Sequence, residues 1–165
     1  MRPTAVQTID PTDGQCLSVV GDTYRLLITG AQTGGTYAAI DMLIPPQGGP
    51  GPHAHAGFQE SFYVLDGEIV VRSETQTYTA RKGAFVNVPL GGPVHSFKNE
   101  SGALAHLLCV VVPAGLEAFF QEIGVPVAAG AFLPPPALGP AEQQRLLEIA
   151  KKHGQELFPP DYLDR

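Results

Sequence analysis

The chain has 165 residues, of which 44% are hydrophobic and 16% are charged, and its formal net charge is −6 at pH 7. This length predicts one domain that can bury a real core. The negative charge and the lack of a basic patch in the sequence argue against nucleic acid or an anionic membrane as a partner.

The cysteines, Cys16 and Cys109, are far apart and have no motif spacing. They indicate neither a disulfide framework nor a thiolate zinc site, and the apolar run around Cys109 favours a buried free thiol. The first residues contain no apolar stretch of the kind found in secretory signals, and no apolar run approaches the roughly 20 residues that span a bilayer. We therefore expect a cytoplasmic protein.

The beginning of the chain predicts turns and short strands. Residues 1–22 are rich in turn formers and predict an N-terminal arm. Strands are predicted at 23–29 and 36–44, because both segments are rich in β-branched and aromatic residues. The following segment, 45–52, contains four prolines and three glycines. Because this composition disfavours both β-sheet hydrogen bonding and a helix, the segment is predicted to be a loop.

The segment 60–73 gives the clearest local signal. Two β-rich runs flank the dipeptide Asp66-Gly67, which is favoured in two-residue type I′ turns, and the pattern predicts a β-hairpin. In the first run, Glu60 and Phe62 fall on one side, which is apolar apart from the carboxylate. That side is therefore predicted to face the core.

The runs that follow complete a series of short strands spaced about ten residues apart, which predicts an all-β sandwich or barrel. The last run is apolar on both faces, so it is either a central strand or part of a subunit interface. These runs are 76–80, 84–89, 94–99 and 103–113.

After residue 113 the pattern changes to helical spacing. A helix is predicted at 115–124 and a second one at 140–154, separated by a proline-rich linker at 131–139. The apolar stripe of the second helix is expected to pack on the barrel or on a partner. The sequence thus divides into an arm (1–22), a barrel (23–113) and a helical extension (114–165).

A short polar cluster raises the question of a metal site. On a strand, residues two apart point to the same side, so His53 and His55 can reach one ion. Glu60 has an odd offset, and a bulge or bend at Gly57 would bring it to that side. A lone carboxylate on an apolar face is costly unless it is paired or ligates a metal, and His95, at the start of another strand, is the natural fourth ligand.

Three imidazoles and one carboxylate suit a divalent first-row transition metal, with one or two positions left for water or substrate. Iron, manganese, nickel, copper, cobalt and zinc all remain open from the residues alone. The predicted ligands are His53, His55, Glu60 and His95.

These residues resemble the first motif of the cupin superfamily, which is a glycine, five residues, His-x-His, three or four residues, Glu, six residues and Gly. The chain has His53-x-His55, four residues, Glu60, six residues and Gly67. The chain departs from the motif at its first glycine, because only four residues, instead of five, separate Gly48 from His53.

The second cupin motif is Gly, five residues, Pro-x-Gly, two residues, His, three residues and Asn. The chain has Gly83, five residues, Pro89-x-Gly91, three residues, His95, three residues and Asn99. The chain therefore carries one extra residue between Gly91 and His95.

The resemblance covers roughly residues 23–113 and implies a double-stranded β-helix, which is a small jelly-roll barrel, and a homodimer. Residues 54–71 and 112–124 are similar to bacterial cupins related to quercetin 2,3-dioxygenase. That similarity implies a catalytic role for Glu60, both as a ligand and as the base that takes a substrate hydroxyl proton.

His106 alternates with Leu104 and Leu108 in the last apolar run. Two interpretations remain open for it. It is either a core histidine whose hydrogen bonds are satisfied, or a residue behind the metal ligands that supports them.

Three functions are compatible with the sequence. The first is a metal-dependent dioxygenase that acts on a small chelating substrate, such as a flavonol or another enol. The second is a metal-dependent isomerase, lyase or hydrolase that acts on a sugar-like or keto-acid substrate. The third is a small-molecule-binding module without catalysis, because a fold does not imply a function.

Overall fold

The computed structural model describes residue 2 and residues 4–164, and the strands in this part of the chain form two antiparallel sheets. The first sheet contains, in spatial order, β11 (Val125–Pro126), β1 (Gln15–Val19), β2 (Asp22–Ile28), β3 (Ala38–Ile44), β10 (Ala105–Val112), β5 (Gln59–Asp66) and β8 (Phe85–Val88). The second contains β12 (Glu156–Leu157), β4 (His53–Ala54), β9 (His95–Lys98), β6 (Glu68–Ser73) and β7 (Thr77–Arg81). The described residues also form three helices, which are α1 (Gly30–Thr33), α2 (Leu116–Ile123) and α3 (Pro140–Lys152).

The core lies between the two sheets. Alternate residues of β3 and β10 are buried, as expected for strands that turn one face inward. Across the core, the ring of Phe62 from the first sheet meets Phe97 from the second at 5.1 Å between centroids, in an edge-to-face arrangement. The sheets do not close into a continuous barrel, but the architecture is the jelly-roll fold that the sequence predicted.

β10 lies between β3 and β5 in the first sheet. This position confirms that the run at 103–113 forms a central strand. Cys109, in the middle of this strand, is a buried free thiol, as expected. The first strand, β1, pairs with β2, so residues 15–19 of the expected arm belong to the sheet.

The predicted hairpin at Asp66-Gly67 is wrong. β5 pairs with β10 and β8, whereas β6 pairs with β7 and β9 in the other sheet. Gly67 does adopt a positive φ of 72°, but it uses this conformation to carry the chain from one sheet to the other. The inward face of β5 was predicted correctly, because Glu60 and Phe62 are both buried.

Replacing Gly67 with alanine is expected to lower the free energy of unfolding by about 1–3 kcal/mol, since a side chain is strained at this φ. The added Cβ would also lie 2.6 Å from the carbonyl oxygen of Leu104. Urea denaturation measures the effect. Gly102→Ala is the matched control, because a Cβ at that position meets no atom within 4 Å. Equal losses in the two variants would contradict this assignment of strain.

The C-terminal elements cover one end of the sandwich. Phe120 of α2 packs its ring on Tyr24 at 4.8 Å between centroids. Leu146 and Ile149 of α3 pack against the core cluster, while Leu147 is 45% exposed. No helix in residues 4–164 has the length and apolar character needed to cross a membrane.

Candidate metal centre

The four predicted ligands meet at one point between the sheets. His53 lies on β4 and stands directly opposite His95 on the neighbouring strand β9. His55 follows β4, and Glu60 approaches from β5 in the other sheet. One donor atom from each of the four side chains lies within 4.8 Å of all the others, so the group could hold a metal ion.

Of the bulge or bend expected at Gly57, the chain forms the bend, because Ala56 and Gly57 are a turn between β4 and β5. The segment between His55 and Glu60 carries the chain from the second sheet to the first. The odd offset is therefore no obstacle, because Glu60 lies on a strand of the facing sheet rather than on the strand that precedes His55.

The backbone fixes the orientation of the imidazoles. In each histidine, Nδ1 lies within hydrogen-bond distance of a carbonyl oxygen, which can only accept, so Nδ1 carries the proton. With the proton on Nδ1, Nε2 of the neutral imidazole is the nitrogen that can offer a lone pair to a metal. The three contacts are His53 to Gly51 at 2.9 Å, His55 to Phe58 at 3.2 Å, and His95 to Pro93 at 3.0 Å.

The Nε2 atoms of His55 and His95 point at the carboxylate of Glu60. Its Oε2 lies 3.2 Å from Nε2 of His55 and 3.6 Å from Nε2 of His95. Nε2 of His95 is buried and has no hydrogen-bond partner among the described residues. Three imidazole nitrogens and one carboxylate oxygen directed at one point are a donor set that fits a divalent transition metal.

Burial and the neighbouring groups set the charge of the centre. Burial alone would raise the pKa of Glu60, but its contacts with His55 and His95 outweigh this and hold the pKa below its usual range. Burial, together with the nearby imidazole of His95, lowers the pKa of His53 to about 4. At neutral pH the carboxylate is ionised and His53 is neutral, as metal ligation requires.

A cavity of about 250 Å³ opens beside the cluster, and three of the four cluster residues line it. This volume is near the lower end of the roughly 300–1,000 Å³ typical of small-molecule sites. None of its described lining residues is Lys or Arg. Most of its wall is apolar, including Met42, Phe97, Phe119, Phe120, Leu157 and Phe158.

The cavity wall contains a buried acid that the sequence analysis did not identify. Asp22 accepts a hydrogen bond from the Tyr24 hydroxyl at 3.0 Å and another from the Gly49 backbone N–H at 3.2 Å. Burial raises the pKa of Asp22 to about 7 against the lowering effect of these bonds. A signal was present in the spacing, because Asp22 directly precedes the strand predicted at 23–29 and lies two residues before Tyr24, so a strand begun one residue earlier would turn both to one side.

His106 lies outside the cavity, and both interpretations of it are wrong. Its Nε2 contacts Asp41, which also forms an ion pair with Arg25 at 2.9 Å. The His106 side chain is 35% exposed, on the face of β10 that points away from the core. The alternation of strand side chains correctly predicted that His106 shares a face with Leu104 and Leu108. That face points away from the core rather than toward it.

Comparison with known proteins agrees with this geometry. Residues 40–111 match the family model described as the cupin domain. This region of the chain is a cupin domain. The matched region contains all four cluster residues, but it includes neither Asp22 nor the C-terminal helices of this cupin.

Among curated proteins, this cupin is similar to quercetin 2,3-dioxygenase from Bacillus subtilis, with 25% identity over 118 residues. The alignment covers 72% of this chain but only 34% of the relative, so the chain spans about a third of that protein's length.

Two solved structures show the same fold. A sugar phosphate isomerase of the cupin superfamily from Silicibacter pomeroyi has a TM-score of 0.55 and 20% identity, and the match covers 66% of this chain and 77% of that one. A predicted oxalate decarboxylase from Thermotoga maritima has a TM-score of 0.58 and 19% identity, with 65% and 99% covered. At these identities the likeness establishes the fold alone.

Proposed function

We propose that this cupin is a metal-dependent dioxygenase that acts on a small chelating substrate of the flavonol or enol type. The observation that carries the proposal is the cluster of three imidazole Nε2 atoms and one buried carboxylate beside a largely apolar cavity. The similarity to quercetin 2,3-dioxygenase supports the same reaction class.

In this proposal His53, His55, Glu60 and His95 hold the ion. When bound, a divalent metal would act as a Lewis acid that binds the substrate as its oxyanion and orients it for attack by dioxygen. The Nδ1 contacts with backbone carbonyls keep each imidazole in the tautomer that ligates.

Glu60 is the residue that would take the hydroxyl proton of the substrate. It is 4% exposed and ionised at neutral pH, so it is an acceptor inside a dry site. Its second oxygen, Oε1, lies 3.5 Å from the thiol of Cys109, which leaves Oε2 directed at the imidazoles. The apolar wall would exclude water from the bound enolate.

The cavity favours an uncharged aromatic substrate over a sugar phosphate. Phosphate recognition relies on Arg, Lys or backbone N–H groups. No Arg or Lys is present in the described lining, whereas Phe97, Phe119 and Phe120 are. A metal-dependent isomerase or lyase that acts on a neutral keto compound remains the second candidate, because it would use the same cluster.

Oxygen uptake tests the proposal. The protein is loaded in turn with iron, manganese, nickel, copper, cobalt and zinc, and each form is mixed with a panel of flavonols and diketones. We expect dioxygen consumption that matches substrate loss for at least one metal and that disappears in the chelator-treated protein. Turnover without oxygen would instead assign an isomerase or lyase, and binding without any turnover would assign a binding module.

A further inference from the structure

Gln155 occupies a fixed position beside the metal centre. It lies between α3 and β12, is 6% exposed, and lines the same cavity as the cluster. Its backbone N–H donates to the carbonyl of Ala150 at 2.9 Å. On its other side, Leu157 of β12 pairs with His53, so the strand that carries a predicted ligand also anchors this segment.

The side-chain amide of Gln155 is unsatisfied. Its Nε2 is buried and makes no hydrogen bond with any residue that the structure describes. Leaving a buried donor unpaired destabilises the folded protein, and buried polar groups in native proteins nearly always have partners. A partner from outside the protein would remove this destabilisation.

The other polar residues in the cavity wall do not offer a similar open donor. Outside the cluster, the remaining polar side chains of the lining are Asp22 and Tyr24, and these are bonded to each other at 3.0 Å. Gln155 is therefore the lining residue whose hydrogen-bonding capacity is left for a ligand.

We propose that Gln155 is a specificity-determining residue that donates a hydrogen bond from its amide to an oxygen atom of the substrate. The inference deepens the proposed function and rests on it: an aromatic enol held at the cluster would carry a hydroxyl or carbonyl oxygen that meets this amide. Gln155 lies outside residues 40–111. The C-terminal segment thus adds a contact that the matched cupin domain does not contain.

Anaerobic binding of quercetin to the metal-loaded protein tests the inference, because binding is then measured without turnover. Gln155→Met keeps the length of the side chain and removes its amide, and it is expected to raise the Kd about 5–10-fold. The control is Gln144→Met, since Gln144 is exposed on α3 and bonds only Glu148. This control is expected to leave the Kd unchanged.

Thermal unfolding of the same variants without quercetin separates a ligand contact from a structural one. Removing an unpaired buried amide is expected to leave the Tm unchanged or to raise it. A lower Tm in Gln155→Met, an unchanged Kd, or no binding of quercetin to the wild type would each overturn the inference. Weaker binding by Gln155→Met without oxygen uptake by the wild type would sustain the inference and sink the dioxygenase proposal.

Discussion

The variant His95→Ala is expected to lose at least about 100-fold in metal affinity, since the loss of a residue that merely supports a ligand already costs 10–100-fold. Its Nε2 is one of the three imidazole donors and has no other partner among the described residues. Elemental analysis of protein purified without chelator, followed by competition titration with a chromophoric chelator, gives the stoichiometry and the affinity.

His106→Ala is the matched control for this prediction. It removes the same chemical group from the outer face of the same fold, where His106 contacts Asp41 and cannot reach the cluster. The control is expected to retain the metal content of the wild type. Full metal content in His95→Ala would show that the four side chains do not bind one ion, and the proposed function would then lose its basis.

The second large effect is expected from Asp22, whose pKa burial raises from 3.8 to about 7. Between about pH 4 and pH 7 the folded state keeps this proton while the unfolded chain has released it. The free energy of unfolding therefore falls as the pH rises through this window, and the loss is complete above pH 7. At about 1.4 kcal/mol for each pKa unit, the contribution of Asp22 is at most roughly 4 kcal/mol.

Asp22→Asn should abolish this part of the pH dependence, because an amide resembles the protonated acid and can keep both the Tyr24 and the Gly49 contacts. Urea unfolding is measured from pH 4 to pH 8 with chelator present, so that the metal ligands titrate alike in every sample. Asp13→Asn, on an exposed carboxylate, should follow the wild type. Identical pH profiles for Asp22→Asn and the wild type would contradict a raised pKa at Asp22.

The sequence by itself determined the residues of the candidate site. The alternation of strand side chains placed His53 and His55 on one side, and the apolar neighbours of Glu60 placed its carboxylate in the core. The motif spacing added His95, and the structure brings all four together. Alternation is a local property of the backbone, which explains why it can be read from a few consecutive residues.

Tertiary structure alone decided which sheet each strand joins, and therefore how the site is built. A strand's neighbours depend on pairing between distant residues, so the dipeptide Asp66-Gly67 looked like a hairpin although it crosses between the sheets. For the same reason no local pattern indicated that Gln155 would line the same cavity as His53 with its amide nitrogen unpaired among the described residues. Local pattern specifies which way a side chain points, but long-range packing specifies what it meets.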